Sequence, residues 1–167
     1  MAWTTPETFT AGQTLTAASM NAISDNLDAV GGAWTSYTPT WTNLTVGTST
    51  QDFKYLNAGK LYVVRFKVTL AAGFSISGSP EFSLPQSVTA NAGYIGTSPW
   101  GLGFVYDVSG PAYMTFIVPG TGVLDRARFA VLTDIGTHIA FGGVNATTPA
   151  TWAAGDIFSG QFMFEAA

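Results

Sequence analysis

The spacing of apolar residues along the chain changes once. In LTAASMNAISDNLDAVGG, from Leu15 to Gly32, Met20, Ile23, Leu27 and Val30 recur at intervals of three, four and three. That spacing draws a stripe down one side of an α-helix, in the manner of a two-heptad seam. Asn21, Ser24, Asp25, Asn26 and Asp28 cover the other sides. Thr16 stands where an N-cap belongs, Leu15 and Met20 have the spacing of a hydrophobic staple, and Gly31-Gly32 ends the run. A helix this short is marginal in water, because its nucleus is costly, so the seam has to be buried on something. Three copies around an axis would bury it, and so would a groove on the rest of the chain.

From Trp34 onward the period falls to two. KLYVVRFKVTL, residues 60–70, sets Tyr62, Val64, Phe66, Val68 and Leu70 on one face and Arg65, Lys67 and Thr69 on the other. DFKYLNAGK precedes it and predicts a hairpin that turns at Asn57-Ala58-Gly59. SYTPTWTNLTV, PEFSLP, AGYIGTS, GLGFVYDVS, AYMTFIV, RARFAVLT, HIAFGGV and SGQFMFEA are further strand candidates. They are separated by the turn signals SGSP, SPWG, SGP, PGTG and TTPATWAAGD. Many short strands so punctuated, without a repeat of fixed period, predict a jelly-roll-like antiparallel β-sandwich. The terminal FMFEAA is too apolar for a loose tail and is expected inside a sheet. Ahead of the helix, MAWTTPETFTAGQT reads as an extended arm whose Trp3 and Phe9 need a docking partner. The expected organisation is therefore an arm and helix over 1–33 and a mainly β domain over 34–167.

Composition narrows what such a body does. Only 10 % of residues are charged, against roughly 25 % in an average soluble domain. A surface that is polar without being charged suits a body partly covered by its own copies or exposed to variable salt, and equally a β-protein that is simply rich in turns. The net charge is −4, and Lys54, Lys60, Arg65, Lys67, Arg126 and Arg128 are scattered. A phosphate-tracking basic patch is therefore not expected, and nucleic acid is not an expected partner. The apolar runs are too short to span a bilayer, and MAWTTPETF lacks the basic and apolar regions of a signal peptide. The expectation is a protein made in the cytoplasm with no membrane association. The absence of cysteine removes disulfide and thiolate chemistry.

Several stretches, taken together, resemble a known group of proteins. They are TFTAGQTLTAASMNAI…DNL (8–27), YTPTWTNLTVG (37–47), the YLNAGKLYVVRFKVTL hairpin with FSLP after it, GTGVLDRARFAVLT, and TPATWAAGDIFSGQFMFEA. In this order they resemble virion proteins of tailed phages of the actinobacteriophage type, which serve as capsid decorations, head fibres or minor tail proteins. The resemblance implies a homotrimeric β-sandwich head on the virion surface, attached through its N-terminus to other virion proteins such as capsid or tail. Under that reading Trp3, Phe9, Leu15, Met20, Ile23, Leu27 and Val30 are the anchoring and oligomerisation residues. The short arm favours a capsid decoration or head fibre over a long tail fibre.

Candidate chemistry is thin. His138 is the sole histidine, and no G-x-S-x-G elbow accompanies it. Asp107, Asp125, Asp134, Asp156 and Glu165 could in principle supply a glycosidase pair. Turn chemistry accounts for Asp134 and Asp156 equally well. No calcium-loop pattern occurs, one histidine without cysteine is a poor zinc set, and GLGF at 101–104 lacks the continuation of a phosphate loop. No enzyme activity, metal or cofactor is expected. The aromatics leave one binding option. Trp41, Trp100 and Trp152 flank turns, and Trp100 and Trp152 could stack on the sugars of a host cell-wall glycan. The same rings could instead fill the core or an interface between copies.

Overall fold

Thr16 caps the helix as its position predicts. Its Oγ1 accepts the backbone N–H of Ser19 at 3.1 Å, and the two hydroxyls are 2.9 Å apart. Ser19 thus engages the cap where a capping box would place Glu or Gln. Helix α1 runs over Ala17–Gly31. The structure is a computed structural model that describes residues 10–14, 16–31, 34–94, 99–120, 122–134 and 139–167. Trp3, Phe9 and Leu15 lie outside the described residues, as do the side chains of Leu27 and Val30.

The remainder is mainly β. The strands are β1 (Thr35–Ser36), β2 (Trp41–Thr45), β3 (Thr50–Ala58), β4 (Leu61–Thr69) and β5 (Ser75–Ser83). They continue with β6 (Gly101–Tyr106), β7 (Ala112–Pro119), β8 (Arg126–Asp134), β9 (Ile139–Gly143) and β10 (Ile157–Glu165). They form one antiparallel sheet in the order β1-β3-β4-β10-β6-β7-β8-β5-β2, with β9 on β8. The two outermost strands of that path, β1 and β2, are consecutive in the chain. The segment 37–40 carries the chain from one end of the sheet to the other, so the sheet curls until its halves face each other. This is a sandwich-like, jelly-roll-like form, and neighbours that are not consecutive in the chain meet at the β1–β3, β4–β10, β10–β6, β8–β5 and β5–β2 pairings.

What fills the curl is mostly aromatic. Phe66 of β4 lies 5.2 Å from Phe82 of β5 and 5.5 Å from Phe129 of β8, centroid to centroid. Phe129 meets Phe158 of β10 at 4.9 Å. These contacts cross from one half of the sheet to the other, and they include fully buried Phe82, Phe129 and Phe158. Edge-to-face and stacked pairs of this kind add to simple area burial. Room for the Phe66 ring comes from Gly160, which lies opposite Gly103 where β10 crosses β6. A Cβ on Gly160 would stand 2.9 Å from the Phe66 ring tip and 2.8 Å from the Leu102 carbonyl oxygen. The terminal strand β10 is central, between β4 and β6, as the apolar FMFEAA predicts.

The structure corrects four readings of the sequence. The hairpin expected to turn at Asn57-Ala58-Gly59 pairs Ala58 with Leu61, so its loop is Gly59-Lys60, with Gly59 at φ 62°. SYTPTWTNLTV is split at buried Pro39, whose missing N–H cannot join a ladder. SGSP, expected as a turn, lies inside β5. There β2 bulges at Asn43 (φ 61°), and the Asn43 amide donates to the Ser79 carbonyl in place of a ladder bond. Pro80 is therefore tolerated in a strand whose neighbour has already broken register. In AGYIGTS, Ala92–Tyr94 forms a 3-10 turn instead of strand, and the following residues 95–98 lie outside the described ones.

Candidate functional site

The helix seam points away from the domain over the part that is described. Met20 is 52 % exposed and Ile23 37 % exposed, whereas Asn26 on another side of α1 is buried. The groove that could have covered the seam within one chain does not cover these two residues. Of the other residues expected to anchor or oligomerise, Trp3, Phe9 and Leu15 lie outside the described residues, and Leu27 and Val30 are placed on α1 by backbone alone.

The two tryptophans expected to meet glycan differ. Trp152 is a core residue: its ring stacks on Phe158 at 4.6 Å and its indole N–H donates to the Asn145 carbonyl at 2.6 Å. Only 9 % of it is exposed, so it has no free face for a sugar, and that expectation is corrected. Trp100 is half-buried. It stacks on Phe164 at 5.6 Å from one side and lines a cavity of about 320 Å³ with Leu61, Asn91, Met163 and Glu165. Asn91 Nδ2 donates to Glu165 Oε1 at 3.4 Å there. A partly buried indole beside an amide and a carboxylate could hold a sugar ring.

Two of the acids, Asp156 and Asp107, have structural roles. Asp156 is fully buried. One carboxylate oxygen accepts the Val108 N–H at 2.9 Å and the other the Ala153 N–H at 2.7 Å. The side chain thereby staples the turn before β10 to the turn after β6. Asp107 accepts both the backbone N–H and the hydroxyl of Ser109, closing its own turn. His138 lies outside the described residues, as does the side chain of Asp134. Among the described residues no three His, Asp or Glu side chains gather as a metal site. No helix among them is long and apolar enough to cross a membrane.

The largest unexplained feature is on the outside of the sheet. In β6, Gly103 and Val105 face the core while Leu102, Phe104 and Tyr106 face out. Leu102, Phe104 and Tyr106 are 50 %, 53 % and 47 % exposed. Across the β6–β7 ladder, Phe104 pairs with Met114 and Leu102 with Phe116. Met114 is also half exposed and shares a groove with Leu132 of β8. Val108 extends the row beyond Tyr106, and Met163 of β10 extends it beyond Leu102. Apart from Tyr106 and Tyr113, no residue of β6 or β7 is ionisable. The sequence pointed to Trp100 and Trp152 as contact residues and not to this row. The available signal was GLGFVY, apolar at both alternating positions, the mark of a strand covered on both faces.

Comparison with protein-family models, with curated proteins and with solved structures returns no match.

Proposed function

We propose that this chain is a structural protein of a phage virion, displayed on the particle surface as a trimeric capsid decoration or head-fibre protein. The N-terminal arm and α1 anchor it to other virion proteins, and the β-domain is the projecting head. The observation that carries this reading is the disposition of α1. Among the described residues a mainly β body has one α-helix, and that helix leaves Met20 and Ile23 exposed instead of packing them onto its own sheet. An apolar stripe that the chain does not cover itself is a docking element. The resemblance of residues 8–27 and 37–47 to tailed-phage virion proteins says what it would dock to.

The test replaces Ile23 and Leu27 together by Asp in the full chain. Attachment is read by co-sedimentation with virions, and assembly by mass in solution. Loss of attachment or of the trimer is the expected result. A double variant that still trimerises and still decorates particles removes the seam as the device.

The Trp100 cavity favours a second reading, a minor tail or receptor-binding protein that recognises host cell-wall glycan. It predicts binding to purified wall polysaccharide that Trp100→Ala abolishes. A decoration protein without this role binds particles and leaves the polysaccharide in solution.

A further inference from the structure

We infer that the outer face of β6 and β7, with Leu132 of β8 at its margin, is the surface through which copies of this chain associate. This deepens the reading of the protein as a self-assembling displayed head, and it rests on that reading for its biological purpose. Leu102, Phe104, Tyr106, Met114 and Leu132 form a contiguous apolar field, with Val108 and Met163 at its ends, each close to half exposed. At close to half of the roughly 200 Å² that a large side chain presents, these seven residues offer on the order of 700 Å² of mostly apolar surface. That exceeds the roughly 300–600 Å² of the largest patch on an ordinary monomer, and it approaches the roughly 800 Å² per partner of a standard interface.

The chemistry of the field selects its occupant. Acidic or basic partners are recognised by complementary charge, and β6 and β7 carry no carboxylate, ammonium or guanidinium. A membrane-surface site normally sets Lys or Arg around its apolar wedge, and these two strands have none. A neutral apolar face can meet a copy of itself, or a neighbouring part of a copy, without opposing like charges. Ionisable side chains of the sheet's outer surface lie on the flanks: Arg126 and Arg128 at the start of β8, beyond Phe116, and Asp52, Lys54, Arg65 and Lys67 on β3 and β4. The sheet thereby keeps a wet face and a face suited to burial. Phe104 and Tyr106 supply the kind of aromatic anchors that dominate interface energetics.

The experiment measures the mass of the full chain by sedimentation equilibrium over a range of concentrations. It compares wild type with Phe104→Lys/Met114→Lys and with Lys67→Glu on the charged outer face. Wild type and Lys67→Glu are expected to associate equally. The double variant is expected to associate at least a hundredfold more weakly, with its circular dichroism spectrum and melting retained. Should the double variant fail to fold, Leu102→Gln, which keeps a side chain of similar length, is expected to weaken association at least tenfold. A wild type that stays monomeric at all concentrations overturns the inference, as does a folded variant that associates as tightly as wild type. Binding of a monomeric wild type to neutral phosphatidylcholine vesicles also overturns it, and assigns the face to lipid. Virion co-sedimentation on the same samples separates the two readings. Chains that associate through this face but do not bind particles leave the inference standing and remove the virion role. Chains that bind particles while monomeric in solution do the reverse.

Discussion

The outer surfaces of β3–β4 and of β6–β7 belong to one curled sheet and lie over one core, yet they are built for different surroundings. On β3–β4 the outward positions include Asp52, Lys54, Arg65 and Lys67, with Leu56, Val63 and exposed Leu61 towards the hairpin end. Lys54 lies 3.6 Å from Asp52, and the Arg65 guanidinium sits 4.3 Å above the Trp34 ring. On β6–β7 the corresponding positions hold Leu102, Phe104, Tyr106, Met114 and Phe116. Inside, the two regions match: Val64, Phe66 and Val68 on one, Val105 and Ile117 on the other, all buried. Inward residues specify that a strand forms and which way it faces. Outward residues carry a separate message about what covers the sheet.

Predictions follow in order of effect, each pressing on that contrast. Phe66→Ala removes a ring held by Phe53, Phe82 and Phe129. It is expected to cost about 3–5 kcal/mol in denaturant unfolding, a loss that the two regions share because the core is common. Gly160→Val puts a side chain against Phe66 and the β6 backbone. A loss of about 1–3 kcal/mol is expected from overpacking, read as a lower melting temperature. Asp156→Asn turns one oxygen that accepts a backbone N–H into a donor. A loss of about 1–3 kcal/mol is expected, again by denaturant unfolding. On the outer faces, Lys67→Ser and Phe104→Ser should each change the stability of the isolated chain by less than about 1 kcal/mol. They separate only in association, which Phe104→Ser weakens and Lys67→Ser leaves alone. Equal association of the two variants would erase the contrast.

The smallest effect concerns alkaline pH. The Tyr37 hydroxyl is buried and has no hydrogen-bond partner among the described residues. Burial pushes its pKa well above the ordinary tyrosine value. Burial, and then the neighbouring Tyr55, raise Tyr62 as well. A phenol whose folded pKa is raised contributes stability that is complete below the unfolded pKa of about 10 and is lost as pH rises beyond it. Melting measured from pH 8 to pH 11 should therefore fall only at the alkaline end. Tyr37→Phe should be within about 1 kcal/mol of wild type at pH 7, since no bond is lost, and should fall less steeply above pH 10.

The change of period at Trp34, the Thr16 cap and the inward row of KLYVVRFKVTL are all legible in the amino-acid sequence. So is the place of the terminal strand inside the sheet. All of these are local rules of spacing and capping, or of apolar content, that the chain states within a dozen residues. Tertiary structure decided the rest, because the rest depends on neighbours distant in sequence. Pro80 stands in a strand only because β2 bulges at Asn43 beside it. Trp152 is core only because Phe158 and the Asn145 carbonyl meet it. GLGFVY is apolar on both faces in the sequence, but only the pairing of β6 with β7 gathers Leu102, Phe104 and Met114 into one exposed field. Alternation tells which residues share a face; which strands lie side by side, and hence whether that face becomes a surface for contact, is set by the curl of the sheet around its aromatic core.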